Sequence, residues 1–477
     1  MRYKTGVDRK QISLLPETLD DYVPEDHICR VIDSFTGLLD LAALGYKHAE
    51  CKSTGCRPYD PRMMLNLYLY GYLHRVRSSR RLEDETRRNV EVMWLMRELK
   101  PDDRTICDFR KDNATALKGT FRAFVVMCRE LGLYGRELEA TDGTKVRADN
   151  SLKNNHNRTV VENELSRIDR KIWEYMEALE QADQEEEGAD RPSGGEIRAA
   201  LEKLRQRRDK AGELHKRVQE EGEVSTVDSE ARLMRTGGEG RKLDVCYNVQ
   251  AVADSKHHLL VDFEVTTSSS DSGNLHAMSE RAKDILGVDS FTNLADKGYY
   301  NGEAIAACEG NGVTCLVAKP RPGGAKKAKE FSHERFIYDR DNDLYVCPCH
   351  ARLPYMRDKK ASTGKEYRVY ANYEACGECP RKAECTAYKY REILRLPYQD
   401  VLDAVEERTK KNKGLYRRRQ EIVEHIFGTI KAVWGYRQFL CRGMEKVAAE
   451  AALSCLAYNM RRAFNVCQEK GLKLAVA

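Results

Sequence analysis

The stretch from Glu137 to Ala148, Glu-Leu-Glu-Ala-Thr-Asp-Gly-Thr-Lys-Val-Arg-Ala, sets the tightest limit on what this chain can fold into. Leu138 and Ala140 alternate with polar neighbours, and Val146 resumes an apolar position beyond Gly143. This is the pattern of a short strand, with a turn or bulge expected at the glycine. Asp142 stands where the buried run ends, beside a residue that lets another backbone or a ligand come close. An Asp-Gly pair alone marks no more than a hairpin turn. Here two further carboxylates join it: Asp296, after the strand-like run Phe291-Thr-Asn-Leu-Ala and before Gly298, and Glu424, within a helical pattern.

The flanking segments predict a mixed sheet with helices on its faces. Tyr247, Val249, Ala251 and Ala253 alternate, Asp254-Ser-Lys256 turns the chain, and His258 to Thr266 runs back, as in a β-hairpin. A helix from Asn274 to Leu286, a strand at Phe291, a helix over Gly302 to Glu309 and a strand from Val313 to Ala318 follow. Asp254 reads as a turn residue and Asp271 as a helix cap.

Ahead of this unit, residues 1–133 predict an all-helical domain. Its expected helices are Glu25 to Leu41, Arg62 to Arg77 opened by Pro61, one from Arg80 capped by Ser79, Asn89 to Leu99, one capped by Asp103 or Thr105, and Ala114 to Leu131. Arginines punctuate it at Arg75, Arg77, Arg80, Arg81, Arg87, Arg88, Arg104 and Arg110. They suit docking on DNA phosphates, or equally solvated faces paired with Glu83, Asp84, Glu85 and Glu91.

Two excursions interrupt the sheet unit of residues 134–475. In 158–222, Val161, Leu165, Ile168, Ile172, Met176 and Leu179, then Ile197, Leu201, Leu204, Ala211, Leu214 and Val218, recur at helical spacing on either side of the loop 188–195. This predicts an antiparallel helical hairpin, serving dimerisation, DNA clamping or only its own packing. In 320–395, after the Pro320 to Lys329 loop, stand Cys347-Pro-Cys349-His350, Cys376-Gly-Glu-Cys379 and Cys385. Thiols so grouped in a reduced compartment fit tetrahedral zinc, with Cys347, Cys376, Cys379 and Cys385 as ligands and Cys349 or His350 as substitutes. The alternative is thiols merely packed in a small subdomain. From Arg391 onward the pattern is helical, closing with Met444 to Phe464.

Composition sets the class. Of 477 residues, 41% are hydrophobic and 33% charged, with a net charge of +5, so attraction to nucleic acid has to come from local patches. No apolar run reaches the ~18 residues a bilayer span needs, and the opening Met1-Arg-Tyr-Lys-Thr-Gly lacks a signal peptide's apolar core. The sixteen cysteines include scattered ones in apolar stretches, such as Cys128, Cys308, Cys315 and Cys455. That usage suits reduced core thiols in a cytosol better than a disulfide framework, the exception being the cluster between Cys347 and Cys385.

Four segments in order carry a family resemblance: Thr141-Asp-Gly-Thr-Lys-Val-Arg-Ala, Tyr247-Asn-Val-Gln, Leu294-Ala-Asp-Lys-Gly-Tyr and Val423-Glu-His-Ile-Phe-Gly-Thr-Ile-Lys. They resemble bacterial insertion-sequence transposases of the DDE class, as do Ser79-Arg-Arg-Leu-Glu and Pro101-Asp-Asp-Arg-Thr-Ile-Cys-Asp-Phe-Arg near the N-terminus. The resemblance implies a ribonuclease-H-like core with Asp142, Asp296 and Glu424 as its catalytic, metal-binding triad. It further implies two Mg²⁺ ions ~4 Å apart, for which Mn²⁺ can substitute, cutting transposon ends and transferring the 3′-hydroxyl into target DNA. The implied partners are double-stranded DNA, at terminal inverted repeats and at the target, and a second copy of the chain on that DNA, in a bacterial cytoplasm at the nucleoid and away from membranes. Tyr416, Arg417, Arg419, Lys431, Lys145 and Lys297 are the implied DNA contacts. Two other readings are a domesticated DNA-binding protein that no longer cuts, and a ribonuclease-H-like nuclease that cuts without joining.

The chain departs from the family pattern in one place. Many relatives place three residues between the arginine and the glutamate of Tyr-x2-Arg-x3-Glu-x6-Lys, whereas four separate Arg419 from Glu424. On a regular α-helix this puts Arg419 well round from Glu424, while Arg417, Glu424 and Lys431, seven apart, share one stripe.

Overall fold

The structure is a computed structural model that describes residues 18–50, 57–184, 194–236, 242–320, 330–362 and 364–471. The first residues, most of the expected loop at 188–195, and the Pro320 to Lys329 loop beyond Pro320 lie outside these. Six helices form the N-terminal region: α1 (Ile28–Leu38), α2 (Pro61–Leu73), α3 (Ser79–Arg88), α4 (Val90–Met96), α5 (Asp103–Asp112) and α6 (Ala114–Glu130). Their ends follow local chemistry. Asp60 caps α2 ahead of Pro61, and Asn89 caps α4 by accepting from the N–H groups of Glu91 and Val92. Several boundaries differ from expectation: α1 is shorter at both ends, with His27 as its cap, and α3 begins at Ser79 itself, with Ser78 and not Ser79 at the cap position. Helix α2 stops before Arg75, whose φ is +64°, and α4 stops at Arg97 and Glu98, both left-handed. The cap of α5 is Asp102, not Asp103 or Thr105; its side chain accepts from the Thr105 N–H.

The main sheet has six strands. Strand β1 (Leu138–Arg147) lies at its centre. After β1 come β2 (Asn155–Asn157), the long helices α7 (Arg158–Gln184) and α8 (Gly194–Glu221), and β3 (Glu223–Ser225), which pairs with β2 at the hairpin's base. Then follow β4 (Arg232–Thr236), β5 (Lys242–Asp254), β6 (Leu260–Thr266), α9 (Leu275–Leu286), β7 (Phe291–Ala295), α10 (Gly302–Gly310) and β8 (Val313–Val317). One side of β5 pairs antiparallel with β1; its other side takes β4 along the first half and β6 along the second. On the far side of β1 lie β7 and then β8, both parallel to it.

Strand β1 passes straight through Gly143, which pairs with Gln250, so the expected turn or bulge at the glycine is absent. The glycine is needed for space instead. A Cβ there would lie 2.3 Å from Gln250 Nε2 and 2.8 Å from Asp271 Oδ1. Glu139, expected on a polar face from the alternation, is fully buried opposite Asp254, because β1 is covered on both sides.

The cysteine-bearing insertion is a separate five-stranded sheet: β9 (Ile337–Asp339), β10 (Leu344–Val346), β11 (Arg352–Lys360), β12 (Glu366–Tyr370) and β13 (Ile393–Arg395). Two short helices, α11 (Tyr373–Gly377) and α12 (Lys382–Cys385), sit between its last two strands. The chain is therefore not yet helical at Arg391; β13 comes first. Arg395 on β13 lies 3.6 Å from the Tyr338 ring centroid and 2.5 Å from Asp400, tying the insertion to α13 (Gln399–Lys411).

Helix α14 (Lys413–Arg419) runs on without a break through a π turn at Gln420–Glu424, α15 (His425–Gly428) and a second π turn at Thr429–Val433. The last helix, α16 (Met444–Glu469), is buried along most of its length and packs on α2, α6 and β6. It joins the N-terminal helices and the sheet into one continuous apolar core. Arg77 reinforces the seam, donating to Glu450 at 2.9 Å and lying 4.2 Å above Tyr436.

Candidate active site

The parallel register of β1 and β7 sets Thr141 opposite Ala295. Asp142 and Asp296 each come one residue later, at the same end of neighbouring strands. A buried polar link locks this register: Asn293 Nδ2 donates to Thr141 Oγ1 at 2.9 Å and to Ser279 Oγ at 2.8 Å. Asp142 Oδ1 accepts from the Gly143 N–H at 2.8 Å, while Oδ2 accepts from Arg419 Nη1 at 3.0 Å. The other nitrogen of that guanidinium, Nη2, donates to Glu424 Oε1 at 2.7 Å. One buried arginine thus spans two carboxylates from distant parts of the chain, with the charge of Asp296 close enough to act on both Arg419 and Asp142.

This overturns the expectation that Arg419 points away from Glu424. In a π turn the hydrogen bonds run from i to i+5, so residues five apart become neighbours, and Gln420–Glu424 is such a turn. The extra residue between arginine and glutamate is absorbed by the wider turn. The stripe expected for Arg417, Glu424 and Lys431 fails for the same reason, since two π turns shift the helical phase between them. Arg417 is exposed, and Lys431 is half-buried, with its Nζ donating to Thr144 Oγ1 at 3.0 Å and to the Lys145 carbonyl at 2.7 Å. Burial lowers the Lys431 ammonium pKa.

Burial lifts the Asp142 carboxyl to about 6, against the lowering pull of Arg419 and the Gly143 N–H, with Asp296 and Glu424 raising it further. Arg419 is the cation that pairs with Asp142 and Glu424, and the charge of Asp296 acts on it as well. Tyr416 braces the arrangement by donating to the Ala295 carbonyl at 3.2 Å, directly before Asp296. Lys297 is exposed beside it.

Asp271 is no helix cap. Asn274 occupies that position at the start of α9, and Oδ1 of Asp271 accepts from Asn248 (2.7 Å), Gln250 (2.7 Å) and Lys145 (3.1 Å). Gln250 also accepts from the buried Tyr299 hydroxyl. A Cβ at Gly298 would meet Asp271 Oδ2 at 3.5 Å, so a fourth carboxylate stands beside the triad. The signal for this layer lay in Tyr247-Asn-Val-Gln, where Asn248 and Gln250 alternate with the buried Tyr247 and Val249 and face the site. Asp254, by contrast, keeps its turn role, accepting from the N–H groups of Gly135, Arg136 and Lys256.

The cysteines of the insertion gather elsewhere. Cys347, Cys349, Cys376, Cys379 and Cys385 are free thiols lining one cavity of about 30 Å³. Most of the arginines expected on the N-terminal helices are engaged within the protein: Arg77 with Glu450, Arg80 with Asp103, Arg87 with Glu83, Arg88 with Glu85 and Arg104 with Asp108. Arg110 is buried against Tyr68 and Tyr72. Among the described residues no helix is long and apolar enough to cross a membrane.

A family model described as a transposase domain (DUF772) matches residues 17–112, and one described as a transposase DDE domain matches residues 346–464. The latter contains Arg419 and Glu424. No curated protein matches the chain. A cryo-EM structure of a piggyBac transposase synaptic complex with hairpin DNA is similar at 9% identity and a TM-score of 0.31, over 96% of this chain and 76% of that one. The two transposase models, matched in this order along one chain, support its membership of the DDE-type insertion-sequence transposases.

Proposed function

We propose that the chain cuts DNA at transposon ends and joins the freed 3′-hydroxyl to target DNA, using Asp142, Asp296 and Glu424 around divalent metal. The observation that carries this reading is the Arg419 guanidinium held between Asp142 and Glu424 with Asp296 beside them. The strand order supports a ribonuclease-H-like core: β1 is central, β5 antiparallel on one side with β6 beyond it, and β7 and β8 parallel on the other.

The donor set fits Mg²⁺. All three side chains offer hard oxygen, and two of them are already drawn together on one guanidinium. When bound, divalent metal activates the attacking oxygen and stabilises the leaving one in an in-line displacement. In the cut, a water oxygen bonds to phosphorus as the bond to the 3′-oxygen breaks, and that oxygen takes up a proton. In the joining step the 3′-hydroxyl attacks a target phosphodiester, loses its proton, and displaces the target's own 3′-oxygen. Asp142 shares the Arg419 guanidinium with Glu424 and feels the charge of Asp296, so these three would hold the metal. Arg419 holds the acids apart, and Tyr416 fixes the backbone before Asp296. Lys297, exposed next to Asp296, is the cation that approaching phosphates would meet; Lys145 and Lys431 secure the strand and helix that carry the site.

The test is a nicking and strand-transfer assay on duplexes bearing the element's terminal inverted repeats, with and without Mg²⁺. Asp142→Asn, Asp296→Asn and Glu424→Gln are each expected to abolish both reactions while leaving a gel shift in place. Wild-type nicking by any of the three would remove that residue from the triad. Cutting without joining would leave a nuclease.

A further inference from the structure

We propose that the insertion carries a structural zinc site formed by Cys347, Cys376, Cys379 and Cys385, independent of the DNA-cutting site. The insertion has little apolar material of its own. Among the described residues its apolar cluster is formed by Phe336, Tyr345, Leu353, Tyr370 and Ile393 and is separate from the main one. Helices α11 and α12 have five and four residues, far below the length at which a helix persists unaided. A unit this small ordinarily needs a cross-link or a metal.

All five cysteines of the insertion converge from three places: the turn after β10, helix α11 with its exit, and the end of α12. The turn is shaped around its first thiol. Ala351 N–H donates to Cys347 Sγ at 3.3 Å, the Cys347 N–H donates to Ala351 O at 3.0 Å, and His350 takes a φ of +60° to close the loop. A backbone N–H aimed at sulfur stabilises a thiolate. Arg391 lines the same cavity, and its buried Nε has no acceptor among the described residues, so a thiolate there would supply both charge and acceptor. Elsewhere in the chain the thiols that only pack, such as Cys128, Cys315 and Cys455, are fully buried; these five are half-exposed.

The choice of four among the five follows their spacing in the chain: Cys376 and Cys379 form a Cys-x2-Cys pair, Cys385 closes α12 and Cys347 opens the turn, with Cys349 in the same cavity as the substitute for one of them. With Zn–S bonds of ~2.3 Å, tetrahedral sulfurs stand ~3.8 Å apart. No three of these thiols lie mutually within 4.8 Å, so binding draws them inward by side-chain rotation. The trio that does meet that limit, His27, Cys29 and Glu91, is already committed: His27 Nδ1 accepts the Cys29 N–H at the start of α1, and Glu91 accepts from Tyr70.

Full-length protein purified without chelator, from zinc-supplemented cells, should contain about one zinc per chain by metal analysis. Cys379→Ser and Cys385→Ser should each lower this to under about a tenth, while Cys349→Ser and Cys107→Ser, an exposed thiol on α5, keep it. Because a serine variant can fail to fold, the wild-type chain provides a second readout. Alkylation of Cys376 and Cys379, mapped by mass spectrometry, should be slow until a chelator is added and fast afterwards. Absence of zinc together with chelator-independent alkylation would overturn the site. Loss of zinc on Cys349→Ser would overturn the ligand choice. Neither outcome depends on whether the protein cuts DNA.

Discussion

The sheet around Asp142 and the sheet of the insertion fix their side chains by different means. In the main sheet, β1 is covered on both faces, and residues from β1, β7 and the 413–433 helix meet because a large common core leaves them nowhere else to go. In the insertion, the apolar cluster among the described residues is small, and burial gives way to polar and cationic ties such as Arg395 to Tyr338 and Asp400, and Tyr370 to Asp343 at 2.7 Å. A site that needs charges held against their own repulsion belongs in the first kind of surrounding. A peripheral unit made of the second kind folds as far as its cross-links allow.

The largest expected effect tests whether the two regions unfold separately. Phe263 on β6 is 1% exposed and packs edge-on against Phe121 of α6, with centroids 5.0 Å apart. Phe263→Ala should cost about 3–5 kcal/mol across the whole chain, read as a shift in urea midpoint by far-UV circular dichroism. Leu353, 1% exposed in the insertion's cluster, should behave otherwise. Leu353→Ala is expected to raise protease cutting within residues 330–395 while leaving the main transition nearly in place, as a local opening. A global loss from Leu353→Ala equal to that from Phe263→Ala would erase the distinction.

Glu139 gives the next effect and concerns what the main core tolerates. Its carboxyl is fully buried, and Asp254 lies directly across the register. Burial first, then the nearby Asp254, pushes its pKa well above the usual carboxylate value. The folded pKa therefore exceeds the unfolded one, so the group's favourable contribution is complete below the unfolded value and drains away as pH rises toward the folded one. Across that window wild type should lose about 1.4 kcal/mol per pH unit relative to Glu139→Gln. Urea midpoints for both proteins at pH 5, 6 and 7 check this. A constant difference between them would mean that Glu139 is ionised in the fold.

Glu139 also shows where sequence reading stops. Alternation located β1, β5, β6, β7 and β8, because a strand's period of two is visible in residue types, and the glycines that follow Asp142 and Asp296 drew attention to both, although at Gly143 the strand runs on without a turn. The same alternation placed Glu139 on a polar face, since nothing local says that a central strand is covered twice. The Arg419 contact was hidden for a different reason: a spacing of five means opposite faces on an α-helix and neighbours in a π turn, and residue types do not announce the π turn. Asp271 resembled a cap because it precedes a helix; its true partners, Lys145, Asn248 and Gln250, come from strands more than twenty residues away or more.

The smallest effect concerns the N-terminal helices, where arginine spacing fitted either DNA contact or an ordinary solvated surface. Arg87 donates to Glu83 at 2.6 Å within α3, an i,i+4 pair in the favourable order with the acid first. Its side chain is 60% exposed, so screening by water keeps the pair's contribution to a few tenths of a kcal/mol. Arg87→Ala should therefore shift stability by less than about 0.5 kcal/mol, and by less again in high salt, where the pair is screened in both proteins. The informative measurement is end-DNA affinity against salt concentration. If Arg87 serves only its helix, affinity and the slope of log affinity on log salt are unchanged. If it releases Glu83 to grip a phosphate, affinity falls and the slope drops by about one, because one counterion-releasing contact is gone. With Glu83 held at 2.6 Å and Arg87 on the helix's own surface ladder, the unchanged slope is the expected result.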